Sequence, residues 1–152
     1  MNKELKLGII GLDTSHVIVF CDAFNNPAAK APVPGAKVVA AVSSEDKAAV
    51  VREHGADEVV VYPRAPLDKD QSKALAEAFK AACGPNGADV IYDVVGGDYS
   101  EPALRSIAWE GRFCVVGFPA GIARLPLNLT LLKSCDVCGV FWGAFTARDP
   151  KG

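Results

Sequence analysis

Short β-branched runs alternate with segments of helical period along the chain, and few folds accept that pattern. The strands must lie parallel in one sheet, with the helices between them covering both faces. Leu5 to Ile10 reads as the first strand. Gly11-Leu12-Asp13-Thr14-Ser15 follows, where Asp13 or Thr14 can cap a helix running to about Phe24, stopped by Asn25-Asn26-Pro27. Pro27 to Pro34 is a loop of alanine and proline. Lys37 to Val42 is the second strand; Ser43 and Asp46 hold capping-box spacing, with Asp in place of Glu, and open a second helix that Gly55 ends. Val59 to Tyr62 is the third strand, and beyond the Pro63 to Asp70 loop a helix from Gln71 to Cys83 puts Leu75, Ala78, Phe79 and Ala82 on one face. Gly84-Pro85-Asn86-Gly87 closes it. Val90 to Val95 is the fourth strand, Glu101 to Ala108 a short helix with Pro102 in its first turn, and Phe113 to Gly117 the fifth strand. A helical turn over Asn128 to Ser134 precedes a sixth strand, Val137 to Trp142.

Six strands with interleaved helices predict a three-layer, doubly wound α/β fold of strand order 3-2-1-4-5-6, with a ligand crevice at the carboxyl ends of the strands. A chain of 152 residues, 50% of them hydrophobic, supplies one core, so residues 1–152 are expected to form a single domain. The net charge of -2 gives no field that would concentrate polyanions, which removes nucleic acid as a partner. Apolar stretches such as Val38 to Val42 and Phe113 to Phe118 fall far short of the roughly 20 residues of a membrane span, so no membrane partner is expected. Met1-Asn2-Lys3-Glu4 leads straight into a strand pattern without the charged, apolar and cleavage regions of a signal peptide, which predicts a cytoplasmic setting. Five cysteines, an odd number, read as reduced thiols. Cys135-Asp136-Val137-Cys138 reads as strand packing, because a zinc site would need two further ligands; no metal is expected.

The first strand-to-helix turn is where a dinucleotide pyrophosphate would meet backbone N–H groups and the positive end of a helix. With Gly11 as the first glycine of such a turn, Asp13 stands at the second position and His16 at the third. A carboxylate there repels pyrophosphate, and its Cβ blocks close approach, so Gly8-x-x-Gly11 reads equally as an ordinary strand–helix turn. An NAD-selective site places Asp or Glu at the end of the second strand, but this chain has Val42-Ser43-Ser44, with Lys47 one turn into the helix. Two hydroxyls and a cation suit a 2'-phosphate; equally, Ser43 and Ser44 cap the helix and Lys47 is solvated. His16 and His54 have no Ser or Cys partner at nucleophilic spacing, and no catalytic residue is assigned. His54 reads as a partner of the helix dipole. Asp93 and Asp98 flank Gly96-Gly97, which reads as a simple turn slightly ahead of a ligand approach.

From about Gly35 to Gly152 the chain closely resembles the nucleotide-binding domain of NADPH:quinone oxidoreductases in the medium-chain dehydrogenase/reductase superfamily, a Rossmann domain. The likeness runs through Gly35-Ala36-Lys37-Val38-Val39-Ala40-Ala41-Val42-Ser43-Ser44-Glu45-Asp46-Lys47, Gly55-Ala56-Asp57-Glu58-Val59, Gly87-Ala88-Asp89-Val90-Ile91-Tyr92-Asp93-Val94-Val95-Gly96 and Trp109-Glu110-Gly111-Arg112-Phe113-Cys114-Val115-Val116-Gly117-Phe118. The resemblance implies NADP(H), with Ser43, Lys47 and Tyr62 near its 2'-phosphate and adenosine ribose and Val94, Gly117 and Phe118 near its nicotinamide half. Leu7 to Val17, with Val33 to Ala41, instead looks like the glucose-fructose oxidoreductase and inositol dehydrogenase family. The two resemblances overlap at Gly35 to Ala41, which implies a junction near residues 35–41 and a chimera, engineered from two Rossmann parents.

A quinone oxidoreductase of that family carries a separate GroES-like catalytic domain, none of which is in this sequence. The expectation is a folded domain with weak or no NADP(H) binding and no complete active site. The alternatives are an active NADPH-dependent quinone oxidoreductase fragment and a dimerising module. For the last, Val137 to Trp142 forms an apolar edge of the sheet, and an unprotected edge invites pairing, here as a homodimer.

Overall fold

A computed structural model describes residues 5–11, 16–26, 28 and 35–148. Asp13, Thr14 and nearly all of the Pro27 to Pro34 loop lie outside the described residues. The strands β1 (Leu5–Ile10), β2 (Ala36–Val42), β3 (Glu58–Val61), β4 (Ala88–Asp93), β5 (Ile107–Val115) and β6 (Asp136–Gly139) form one parallel sheet of order β3-β2-β1-β4-β5-β6. Helices α1 (His16–Asn25), α2 (Glu45–Glu53), α3 (Lys69–Cys83), α4 (Ser100–Leu104), α5 (Asn128–Lys133) and α6 (Trp142–Arg148) separate or follow them. This is the doubly wound Rossmann arrangement that the alternation of runs predicts.

The inner strands explain why apolar runs replaced alternation. Val38 to Val42 in β2 are buried on both faces, as a parallel strand with helices above and below requires. On one face Leu75, Phe79 and Cys83 of α3 and Leu104 of α4 pack on Ile10, Val39, Ile91, Ile107 and Phe113. On the other, Cys21 of α1 and Ala48 and Val51 of α2 cover Ile9, Val38, Ala40 and Val42. Along this second face the register runs Ile9, Tyr92, Cys114, Cys138 from β1 to β6; Ile9 is fully buried and the other three are half-buried.

Local chemistry sets the helix ends. The α3 cap is Asp68, whose carboxylate accepts from the Gln71 N–H at 2.8 Å while the Asp68 N–H donates to Gln71 Oε1 at 3.0 Å, a reciprocal box that starts the helix two residues before the predicted Gln71. The α2 cap is Ser44, which accepts from the Lys47 N–H, and not the predicted Ser43; no capping box with Asp46 forms. Gly55 at φ +93° ends α2.

Three further expectations are corrected. The helix predicted from Glu101 to Ala108 is a 3-10 turn over Gly97–Tyr99 running into α4, and it stops at Leu104 because Ile107 and Ala108 already belong to β5. That strand begins six residues before the predicted Phe113, passing through Glu110 at φ +58° with a shift of register against β4. The sixth strand ends at Gly139, and Trp142, predicted as its last residue, opens α6.

Above the sheet, the loop after β3 is tied to the turn after β4. The Tyr99 hydroxyl donates to Pro63 O at 3.0 Å and accepts from the Ala65 N–H at 2.8 Å, while Asp98 Oδ2 accepts from the Leu67 N–H at 3.0 Å.

Candidate functional site

The strand order reverses between β1 and β4, so their carboxyl ends diverge and leave a crevice at the place where open α/β sheets bind ligands. Gly11 leaves β1 there at φ +101°, its N–H held by Ala41 O at 3.0 Å. A Cβ on Gly11 would stand 2.4 Å from Val95 Cγ2 and 2.8 Å from Val94 Cγ2, so glycine is required both by conformation and by contact with the opposite wall.

That wall is organised by one buried acid. Asp93, the last residue of β4, is 1% exposed; its Oδ1 accepts from the Val95 and Gly96 N–H groups, both at 2.9 Å, and its Oδ2 accepts from Ser100 Oγ at 2.5 Å. Three donors converging on a carboxylate compensate its burial and fix the turn. The Asp93 carbonyl receives the N–H groups of Val116 and Gly117 at 2.9 and 3.3 Å, which brings the end of β5 alongside. Gly117 lies so close to Val94 that a Cβ would be 2.8 Å from its carbonyl oxygen, and one on Gly96 would be 2.9 Å from Phe118 Cα. Val94, Gly117 and Phe118 are therefore brought together on this wall, across from Gly11, with Phe118 64% exposed. The turn reading of Asp93 describes the backbone, but the sequence did not reveal the clamp; Ser100, seven residues on and N-terminal in α4, was its available signal.

At the exit of β2, Lys47 Nζ donates to Ser43 Oγ at 2.9 Å across the first turn of α2, while Ser44 caps the helix. Ser43 and Lys47 are together; Tyr62 is apart from them in burial, 6% exposed, with its ring 4.5 Å from that of Tyr99. Asp13 and Thr14 lie outside the described residues, and of His16 only its place at the start of α1 is described. His54 is the C-terminal cap of α2. A cleft of about 430 Å³ beyond Gly97 is lined by Leu67, Ser72, Asp98, Glu101, Ile122 and Arg124. Among the described residues no three His, Cys, Asp or Glu side chains converge, so nothing in them fits a zinc ion. Cys135 packs in the core under α3 and α4 while Cys138 belongs to the opposite face, which separates the two thiols of the Cys-x-x-Cys spacing.

The sequence profile described as zinc-binding dehydrogenase matches residues 28–150. Quinone oxidoreductase-like protein 2 of Rattus norvegicus is 40% identical over 115 residues, covering 75% of this chain and 31% of that protein. Its counterpart in Bos taurus is 42% identical over the same shares. This chain thus spans about a third of the length of these relatives. Among solved structures, Escherichia coli quinone oxidoreductase complexed with NADPH superposes with a TM-score of 0.71 at 23% identity, over 95% of this chain and 40% of that one, a likeness of fold. AibC superposes at 0.67 with 26% identity, over 92% of this chain and 35% of that one. No helix among the described residues is long and apolar enough to cross a membrane.

Proposed function

The chain belongs to the zinc-binding dehydrogenase family, and on that premise we propose that it is the cofactor-holding domain of an NADP(H)-dependent oxidoreductase of the quinone oxidoreductase kind. The observation that carries this reading is the Lys47 to Ser43 contact of 2.9 Å at the exit of β2, where a cation and a hydroxyl replace the carboxylate of an NAD site. In this reading Ser43 and Lys47 take the 2'-phosphate, Tyr62 lies toward the adenosine ribose, Gly11 admits the pyrophosphate, and Val94, Gly117 and Phe118 wall the nicotinamide. When bound, the cofactor supplies the hydride. The domain's own share is to orient the dinucleotide; aligning a quinone and excluding water would fall to parts outside these 152 residues.

Calorimetric titration tests this reading. NADPH is expected to bind at least tenfold more tightly than NADH, and Lys47→Glu to remove that preference while leaving NADH unchanged. Equal affinities for the two would sink the NADP(H) assignment.

A second reading, a chain joined from two dehydrogenase families with weak or no cofactor binding, is motivated by Asp13 in the phosphate turn. The family match begins at residue 28, ahead of the supposed junction at 35–41, and neither relative nor structure points to a second parent. A folded chain that gives no heat with either cofactor would favour it. A homodimer through β6 is supported by the exposed Leu131, Phe141 and Trp142 beside that edge strand; light scattering that returns a monomer mass at high micromolar concentration removes it.

A further inference from the structure

Cys114 in β5 and Cys138 in β6 are directly paired in a parallel register, and their sulfurs are 3.7 Å apart. Paired positions on neighbouring strands point to the same face and lie about 4.8 Å apart between Cα atoms, within the roughly 4.4–6.8 Å that a disulfide spans. The sulfurs must close from 3.7 Å to a bond of about 2.04 Å. The Cys138 sulfur also lies 3.7 Å from Phe113 O, which holds it toward β5. Both residues are half-buried, on the face beyond the cover of α1 and α2, so a small reagent reaches them. The other three thiols, Cys21, Cys83 and Cys135, are buried.

We infer that Cys114 and Cys138 form a dithiol modification site that exchanges with low-molecular-weight disulfides and thereby staples the edge strand β6 to β5. The Cys138 thiolate attacks one sulfur of the external disulfide, breaking its S–S bond and expelling one thiolate. Cys114 gives up its proton and attacks the Cys138 sulfur of the mixed disulfide, expelling the second thiol. The two protein sulfurs are oxidised by two electrons and the external disulfide is reduced by two, releasing two thiols. Burial, and next the Cys138 sulfur beside it, push the Cys114 thiol up to about 11, so this second step quickens as pH rises.

The test incubates the folded chain with oxidised glutathione at about pH 8.5, blocks free thiols, and maps peptides by mass spectrometry. The expected product is a link between Cys114 and Cys138 that retains no glutathione and is undone by dithiothreitol. Cys114→Ser is expected to trap glutathione on Cys138, because the resolving sulfur is gone. In the oxidised wild type, amide exchange of Val137 and Gly139 should slow about tenfold relative to the reduced chain. Glutathione persisting on wild-type Cys138, a link that involves Cys135, or no modification of either protein would each overturn the proposal.

Discussion

Strand β5 carries neighbouring residues with opposite fates. Phe113 faces the core under α3 and α4 and is fully buried, whereas its neighbours Arg112 and Cys114 face the side where α1 and α2 do not reach. The same strand is thus the middle of a finished core on one face and the margin of an unfinished one on the other. Parallel strands are normally covered on both faces, so among the described residues the margin at β5 and β6 is the half-covered part of the sheet.

Breaking the covered face should have the largest effect. Phe113→Ala removes a ring with no solvent contact and is expected to cost about 3–5 kcal/mol in urea unfolding, enough to threaten the fold. The comparison sharpens at Ile9, which shares the face of Cys114 but lies under α1 and α2. If helix cover matters and the face itself does not, Ile9→Val costs about 0.5–1.5 kcal/mol by the same measurement. A null result there would mean that the whole second face is loosely packed. Smallest is Arg112→Ala. Its guanidinium is 3.6 Å from the Asp136 carboxylate with side chains 62% and 71% exposed, so solvent screens the pair. The change should stay within about 0.5 kcal/mol, and a larger loss would show that the margin is better ordered than its exposure implies.

The strand order was legible because each inner strand is an uninterrupted apolar run bounded by turn residues, as in Lys37 to Val42 before Ser43-Ser44. What was not legible lay where tertiary contacts override the local pattern. Trp109-Glu110-Gly111-Arg112 falls between the predicted helix and the predicted fifth strand, yet β5 runs through it, with Glu110 at positive φ and Gly111 so close to Ile107 that a Cβ would be 2.7 Å from its side chain. The run from Val137 to Trp142 stays apolar through the end of β6, the link and the first residue of α6, and a short apolar run does not mark where the strand ends. At the candidate site, Ser43 and Lys47 could be singled out because a missing carboxylate is visible in one dimension. The Asp93 clamp was not, because it depends on three donors that only the folded turn brings together.

The ties from Tyr99 and Asp98 to residues 63–67 have a mechanical consequence. In the sheet order β3-β2-β1-β4, the strands that these two segments leave, β3 and β4, stand three strand spacings apart, about 14 Å, yet the segments meet over the rim through hydrogen bonds that bypass β2 and β1 altogether. The span across the strand tops is a closed hoop: the strands form one side and the strap the other. Load placed on the glycine wall is shared with the loop at the far edge of the sheet, and the crevice cannot widen at one end without drawing on the other.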